Sequence, residues 1–254
     1  WAGSLGYLNY DATSLVINGG TVRQSGSTAN SGAGINMSSR QFTIQAGGAT
    51  FDSATAGVTW TMDRDSRSNY QVATAGNVTF TGAGNTVFNT WLSGAYSVTK
   101  NGTGTVTMNG TNTFSGGTNI NAGTLNVNSS SALGSSGTLS FGGGTLQYSA
   151  NNNTDYSARA SNAASQAYKI DTNGRDVTWA SALTSSGGTL TKLGTGTLTL
   201  TGTNTFTGGV TLSNTTTTVS SGAPQYSQTA LGTLEVGSLA SSPVSNSGLL
   251  IFNT

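Results

Sequence analysis

The feature that most constrains this chain is an internal repeat with an offset of 92 residues. Residues 98–121 align without gaps on residues 190–213, and 14 of the 24 aligned positions are identical. Most differences keep the apolar character, as where Val98 stands opposite Leu190. A repeated segment of this kind is typical of proteins in which each copy stacks on its neighbours to bury a shared core. We therefore expect a repetitive architecture.

A shorter phrase recurs inside and outside this repeat. It consists of Gly, a small residue and an apolar–polar–apolar alternation, and it starts at Gly104, Gly123, Gly137, Gly144, Gly196, Gly232 and Gly248. Alternation with period two between turn residues predicts a short strand with one buried face. In the first repeat the inward side chains are Val106, Met108, Ile120, Leu125 and Val127. The outward ones are Thr105, Thr107 and Asn126.

Composition supports strands and excludes several kinds of site. The 254 residues include no Cys and no His, which excludes disulfides, thiolate and imidazole metal ligands, and triads that use His. A net charge of +1 provides no electrostatic footprint for nucleic acid. No apolar run is long enough for a membrane-spanning helix. Disordered chains are usually rich in charge and Pro, whereas this one has 7% charged residues and two Pro. We predict an all-β protein without cofactors.

Two all-β folds fit short strands with Gly and Asn turns. One is an antiparallel sandwich or barrel with tight hairpins. The other is a β-solenoid, in which each strand pairs in parallel with its equivalent one coil further on. Near-identical phrases and many Thr, Ser and Asn residues favour the solenoid, because like polar residues hydrogen-bond along the stack. At about 20 residues per coil, the chain would form roughly 11–13 coils.

We expect one solenoid over residues 1–254. Divergent coils occupy 1–97, the first repeat unit 98–150, irregular coils with a lateral loop 151–187, the second repeat unit 188–222, and terminal coils 223–254. The chain begins with Trp1 and ends on a strand-like segment, 249–252, so we expect it to be part of something longer.

Equivalent positions of the two copies have predicted structural roles. The aromatic residue is expected to fill a corner, and the paired glycines after it to form the bend. The lysine, present in both copies, is expected to lay its stem along the rim of the coil. These positions are Lys100, Gly102, Gly104, Phe114, Gly116 and Gly117 in the first copy, and Lys192, Gly194, Gly196, Phe206, Gly208 and Gly209 in the second.

The few charges offer two candidate ligand sites. Residues 63–67, Asp-Arg-Asp-Ser-Arg, suggest either a calcium or acidic-glycan site or, more simply, a solvated loop with local ion pairs. Residues 171–176 resemble the start of a calcium loop, but the bidentate Glu is missing and the only Glu of the chain is Glu235. An Asx-type turn is the simpler prediction there. We predict no bound metal.

Residues 151–176 form the most irregular stretch, and 158–167 is a segment that favours a helical turn. The aromatic and basic side chains of residues 151–176 suggest either a protruding loop that binds sugars or a partner, or an ordinary lateral insertion. These side chains are Tyr156, Arg159, Tyr168, Lys169 and Arg175. Single aromatic residues elsewhere are predicted to be core side chains rather than sugar platforms, namely Tyr7, Tyr10, Trp60, Tyr70, Trp91 and Trp179.

The segment from Val98 to Leu125 resembles a known family repeat, the autotransporter-associated β-strand repeat, also called the passenger-associated transport repeat. Residues 190–213 are a second good match. The resemblance implies a right-handed parallel β-helix in an exported protein of a Gram-negative-type bacterium, placed at the cell surface or released. It implies no shared catalytic residues.

These observations predict a non-enzymatic structural or adhesive β-solenoid that is secreted or attached to the outer membrane. Open ends of a β-helix present unpaired backbone groups, and neither end of this sequence resembles a cap. We therefore expect end-to-end stacking on itself or on neighbouring coils, in a longer passenger or a filament, with host or matrix glycans as further partners. The alternatives are a β-helix lyase or hydrolase that acts on acidic polysaccharide, and a phage fibre or sheath protein.

Overall fold

The computed structural model describes residues 15–26, 42–62, 71–73 and 75–212, and the strands 217–220, 233–235, 244–246 and 250–251 beyond them. The chain divides into two compact units, residues 1–137 and 138–254. All pairings between described strands are parallel. The prediction of an all-β parallel β-helix is therefore confirmed, and the antiparallel sandwich is wrong.

The first unit is built from short strands in parallel stacks. Two main stacks have the orders β2–β4–β7–β10–β12 and β5–β8–β11–β13, and β1–β3 and β6–β9 form pairs. The strands are β1 (Leu15–Ile17), β2 (Gly20–Gln24), β3 (Phe42–Ile44), β4 (Ala49–Ser53), β5 (Thr59–Met62), β6 (Gln71–Ala73), β7 (Val78–Thr81), β8 (Asn85–Phe88), β9 (Trp91–Ser93), β10 (Val98–Lys100), β11 (Thr105–Met108), β12 (Thr118–Ile120) and β13 (Thr124–Val127).

The second unit follows the same plan. Its two stacks are β15–β16–β18–β20–β23 and β17–β19–β21–β22–β24. The strands are β14 (Leu139–Phe141), β15 (Thr145–Gln147), β16 (Ala167–Asp171), β17 (Val177–Trp179), β18 (Thr189–Leu193), β19 (Gly196–Leu200), β20 (Val210–Leu212), β21 (Thr217–Ser220), β22 (Thr233–Glu235), β23 (Val244–Asn246) and β24 (Leu250–Ile251). Among the described residues, the helical content is one 3-10 turn at Ser157–Arg159.

The regular coils have the predicted length of about 20 residues. Val98 pairs with Val78 on one side and with Thr118 on the other, so each step along the stack is 20 residues. Leu190 and Val210 have the same spacing in the second unit. Elsewhere the step between paired residues varies, from 15 residues between Val219 and Leu234 to 34 residues between Val210 and Val244.

The core of each unit is a column of inward side chains from successive strands. The five predicted inward residues of the first repeat are 0–3% exposed, and their outward neighbours Thr105, Thr107 and Asn126 are half-buried. Aromatic rings extend the column, since the ring centroids of Phe51 and Phe80 are 5.7 Å apart. In the second unit those of Phe141 and Tyr168 are 5.5 Å apart. Short strands thus obtain a continuous core from their neighbours.

Candidate functional site: the glycine corner and its buried lysine

The corner between the two strands of each repeat contains a buried lysine. Lys100 ends β10, and Val98, two residues earlier, already points inward. The period of two therefore sends the lysine side chain inward as well. Lys100 is 1% exposed and Lys192 0%. The prediction that these stems lie along the rim is wrong, because both side chains are inside the coil.

The ammonium group of Lys100 is held by backbone carbonyls. Its Nζ donates hydrogen bonds to the carbonyl oxygens of Asn101 at 2.8 Å and Gly102 at 3.0 Å, within its own corner. A third hydrogen bond, of 3.1 Å, reaches the carbonyl oxygen of Ala122 in the following coil. A buried charge requires such partners. Each buried polar group left without a hydrogen bond costs about 1–3 kcal/mol of stability, and an unpaired charge costs more.

Lys192 has the same corner contacts and a different third partner. Its Nζ donates to the carbonyl oxygens of Leu193 and Gly194 at 2.7 and 2.9 Å. It also donates to the hydroxyl of Thr172 at 2.6 Å, in the preceding coil, and this hydroxyl donates onward to the carbonyl oxygen of Thr195 at 2.6 Å. The corner and the adjacent coil are thereby linked through one ammonium group.

Burial lowers the pKa of both lysines. Desolvation lowers the pKa of Lys100 to about 8 and that of Lys192 to about 7. The nearby charges of Asp171 and Asp176 act in the opposite direction on Lys192, without cancelling the desolvation. A neutral amine near pH 7 has nucleophilic character, but here it is enclosed by the carbonyls of its own corner. The arrangement links coils and offers no open face to a substrate.

Glycines at this corner are required by close backbone contacts. A Cβ added at Gly104 would lie 1.8 Å from the carbonyl oxygen of Gly84 in the preceding coil. At Gly196, where φ is +88°, a Cβ would lie 2.3 Å from the carbonyl oxygen of Arg175. Successive corners therefore stack backbone on backbone, and only glycine fits.

A buried asparagine in each repeat holds neighbouring coils together, and the sequence reasoning did not single it out. Asn112 accepts a hydrogen bond from the backbone N–H of Leu92 at 2.8 Å and donates one to the carbonyl of Ala132 at 2.7 Å. Asn204, its equivalent, accepts from the N–H of Leu183 at 2.9 Å. The signal was present, because this residue is identical in the two copies of the repeat.

The aromatic residue of the repeat is fully buried in both copies, as Phe114 and Phe206 are 0% exposed. The bend after it is also too narrow for side chains. A Cβ at Gly116 would lie 2.3 Å from the carbonyl carbon of Tyr96, and one at Gly208 would lie 2.4 Å from the carbonyl oxygen of Gly188.

The charged candidate sites have structural uses where the structure describes them. Asp171 Oδ1 accepts a hydrogen bond from the backbone N–H of Asn173 at 2.9 Å, which confirms the predicted Asx-type turn. Its Oδ2 accepts from Gln147 at 2.8 Å. Over the described ranges, no group of three or more His, Cys, Asp or Glu residues is arranged to hold a metal ion. Residues 63–67 lie outside the described residues.

The tyrosines of residues 151–176 form part of the core. Tyr156 is 3% exposed and Tyr168 0%, so the alternative of a sugar-binding loop with exposed tyrosines is wrong. Trp179 Nε1 donates to the hydroxyl of Tyr148 at 2.8 Å, and this hydroxyl donates to the carbonyl of Thr154 at 3.0 Å. These bonds fasten the irregular stretch to its coil.

The single aromatic residues differ in placement. Trp60 and Trp179 are 0% exposed, as predicted for core side chains. Trp91 is not in the core: it lies half-buried on the outward side of β9, whose middle residue Leu92 points inward. The core prediction for Trp91 is therefore wrong. Tyr7, Tyr10 and Tyr70 lie outside the described residues.

Comparison with known families gives one finding. Residues 98–127 and 190–223 match the family model of the passenger-associated transport repeat. Together they make up about a quarter of the chain. No significant match was found among curated proteins or solved structures. The described residues contain no helix with the length and apolar character needed to cross a membrane. The matched repeat indicates a β-helical protein of the autotransporter passenger type.

Proposed function

Because the chain carries two passenger-associated transport repeats, we propose that it is a non-enzymatic, structural and adhesive β-solenoid outside a Gram-negative cell, either surface-attached or released. It would be a segment of a longer passenger or a unit that stacks end to end into a fibre. The observation that supports the structural role is that the buried polar side chains of the repeat form hydrogen bonds to neighbouring coils. Lys100 and Asn112 donate hydrogen bonds to backbone carbonyls of neighbouring coils, and Lys192 donates one to the side-chain hydroxyl of Thr172 in the preceding coil.

Ladders of amide side chains on the outer faces support this role. Asn121 Nδ2 donates to Asn101 Oδ1 at 2.9 Å, and Asn128 Nδ2 donates to Asn109 Oδ1 at 2.7 Å. Asn109 Nδ2 in turn donates to Asn89 Oδ1. Such ladders stabilise stacked strands without charge and so depend little on ionic strength. This property suits a protein that works outside the cell.

End-to-end stacking would use the open edges that a parallel β-helix has wherever its stack of coils ends, because a terminal strand presents unpaired N–H and C=O groups to any strand that can continue the stack. A second copy of the chain offers strands of the same coil length, about 20 residues.

Separate measurements test the location, the stacking and the non-enzymatic role. Antibody labelling of intact cells and of the culture medium should detect the protein outside the cell, and detection only inside the cell would overturn the proposed location. Electron microscopy and fibre diffraction of the purified chain should show filaments with a repeat of about 4.8 Å along the axis. Monodisperse monomers in sedimentation experiments over a wide concentration range would overturn the stacking. Turnover of an acidic polysaccharide, lost in Asp63→Ala, would overturn the non-enzymatic role.

A further inference from the structure

Four Asn-Gly pairs lie within the described residues, and one of them differs from the others in its hydrogen bonds. The pairs begin at Asn18, Asn101, Asn109 and Asn173. Such a pair can rearrange when the backbone nitrogen of the glycine attacks the side-chain carbonyl carbon, Cγ, of the asparagine. The reaction is favoured where the glycine N–H is not already hydrogen-bonded and the side-chain amide is free to lose ammonia.

The glycine N–H is available in two of the four pairs. In the pairs at Asn18 and Asn173, the glycine N–H donates to a backbone carbonyl oxygen of another coil, at 2.8 and 2.7 Å. The N–H groups of Gly102 and Gly110 have no hydrogen-bond partner among the described residues. The two pairs within the first repeat are therefore the candidates for the reaction.

The side-chain amides distinguish these two pairs. Asn109 is held at both ends of its amide, because its Nδ2 donates to Asn89 Oδ1 and its Oδ1 accepts from Asn128 Nδ2 at 2.7 Å. Asn101 is held only through its oxygen, which accepts from Asn121 Nδ2 at 2.9 Å. Its own Nδ2 has no partner in the part of the chain that the structure describes. Loss of ammonia from Asn101 therefore breaks no hydrogen bond of the ladder.

Two neighbouring side chains are placed to promote the attack on Asn101. Lys100 Nζ donates to the carbonyl oxygen of Asn101 at 2.8 Å. This oxygen and the N–H of Gly102 belong to one delocalised peptide group, so the ammonium stabilises the charge left when the N–H proton is removed. Asn121 donates to Oδ1, the atom on which negative charge develops as Cγ is attacked. Burial lowers the pKa of Lys100 only to about 8, so the ammonium is still mostly charged at neutral pH.

From this arrangement we propose that Asn101 is a self-modification site, at which the corner promotes conversion of the asparagine to aspartate and isoaspartate. Gly102 N forms a bond to Asn101 Cγ and gives its proton to water. The bond between Cγ and Nδ2 then breaks, and ammonia leaves with a proton taken from water. Water opens the resulting succinimide ring at either carbonyl carbon, which gives the two acids. The reaction needs only the folded coil and water, so it is independent of the proposed extracellular role.

The two products differ in their effect on the coil. Aspartate keeps the length of the main chain, and its carboxylate can still accept the hydrogen bond from Asn121. Isoaspartate adds a carbon to the main chain at a corner without spare room, since a Cβ at Gly102 would lie 2.3 Å from the carbonyl oxygen of Gly82. This product should therefore loosen the contact with the preceding coil and limit the lifetime of the repeat.

The test is the rate of deamidation at each site of the full chain, in the native protein and in urea. Peptide mass spectrometry after long incubation at neutral pH measures both acids, and digestion in heavy-oxygen water marks conversions that occur during digestion. In urea the four pairs should react at comparable rates. In the native protein Asn101 should react about tenfold faster than Asn109, its neighbour in the same coil. Equal native rates at these two sites, or a faster reaction at Asn109, would overturn the proposal.

Substitutions in the corner test the promoting groups. Lys100→Met should slow the reaction at Asn101 about fivefold and leave the rate at Asn109 unchanged, whereas an unfolded coil would raise the rate at Asn109. Asn121 is exposed, so Asn121→Ala keeps the proposal testable if Lys100→Met unfolds, and it should also slow the reaction at Asn101 severalfold. Lys192→Met, in the second repeat, is the matched control and should leave the rate at Asn101 unchanged. A rate at Asn101 that stays the same or rises in a folded corner variant would overturn the proposal.

Discussion

The two lysine corners share a sequence and differ in their surroundings. Each ammonium group bonds to two carbonyls of its own corner. The third partner of Lys100 is the carbonyl of Ala122, in the following coil, whereas that of Lys192 is the hydroxyl of Thr172, in the preceding coil. The motif thus specifies an inward lysine and its local acceptors, and the neighbouring coil provides whichever oxygen lies in reach. Four substitution experiments test whether equivalent positions of the two repeats contribute equally to stability.

Glycine substitutions at the corner should have the largest effect. Gly104→Ala and Gly196→Ala each place a Cβ within 2.3 Å of a backbone carbonyl oxygen, so each should lower the free energy of unfolding by about 3 kcal/mol. Gly20→Ala is the control, because its Cβ would approach nothing closer than 3.8 Å. Urea denaturation measures all three. An effect of Gly104→Ala as small as that of Gly20→Ala would show that the corners do not stack as described.

Replacing the buried asparagine should destabilise the protein more in the first repeat than in the second. Asn112 bonds to the backbone of both the preceding and the following coil, so Asn112→Ala should cost about 2 kcal/mol. Asn204 bonds to Leu183 and to Gly202 of its own coil, and Asn204→Ala should cost about 1 kcal/mol. Equal losses in urea denaturation would mean that the second inter-coil bond of Asn112 contributes nothing.

Replacing the lysines by methionine should have a smaller net effect. The positions paired with Lys100 are Phe80 and Ile120, so this interior site accepts an apolar side chain. Lys100→Met leaves carbonyls without a donor but also removes a desolvated charge, and these effects partly offset each other. We expect a loss of about 1 kcal/mol for Lys100→Met and for Lys192→Met. A loss of several kcal/mol would mean that the ammonium groups are essential.

The pH dependence of stability is a further test of the buried lysines. The pKa of Lys192 is lowered to about 7 in the folded chain from an ordinary value of 10.5, so the unfolded chain binds more protons between these values. The free energy of unfolding should therefore rise as the pH increases from about 7 to about 10. Lys192→Met should flatten this rise from pH 7 upward, and Lys100→Met only above pH 8, where that lysine titrates. A rise unchanged in both variants would contradict the burial of the lysines.

The sequence was sufficient to predict the architecture because the fold is local and repetitive. The 92-residue offset, the period of two and the Gly corners specify parallel coils, and Phe114 behaves as the predicted apolar corner residue. The Asx-type turn at Asp171 followed from local chemistry in the same way.

The sequence analysis placed Lys100 and Lys192 on the rim of the coil because two rules conflict at these positions. Charged residues are usually exposed, and this expectation outweighed the alternation that places Lys100 on the side of Val98. The carbonyls that make burial possible come partly from another coil and are not visible in the local sequence. Trp91 was misplaced for the opposite reason, because an aromatic residue is usually assigned to the core, while its neighbour Leu92 fills that position.

Amine labelling of the native protein tests the account most directly. The chain has three lysines, and Lys169 is half-buried on a strand of the second unit, whereas Lys100 and Lys192 are 0–1% exposed. Acetylation under native conditions, followed by peptide mass spectrometry, should modify Lys169 well before the other two. Lys100 and Lys192 should react only after denaturation. Equal rates at all three lysines in the native protein would place them on the rim and contradict the buried corner.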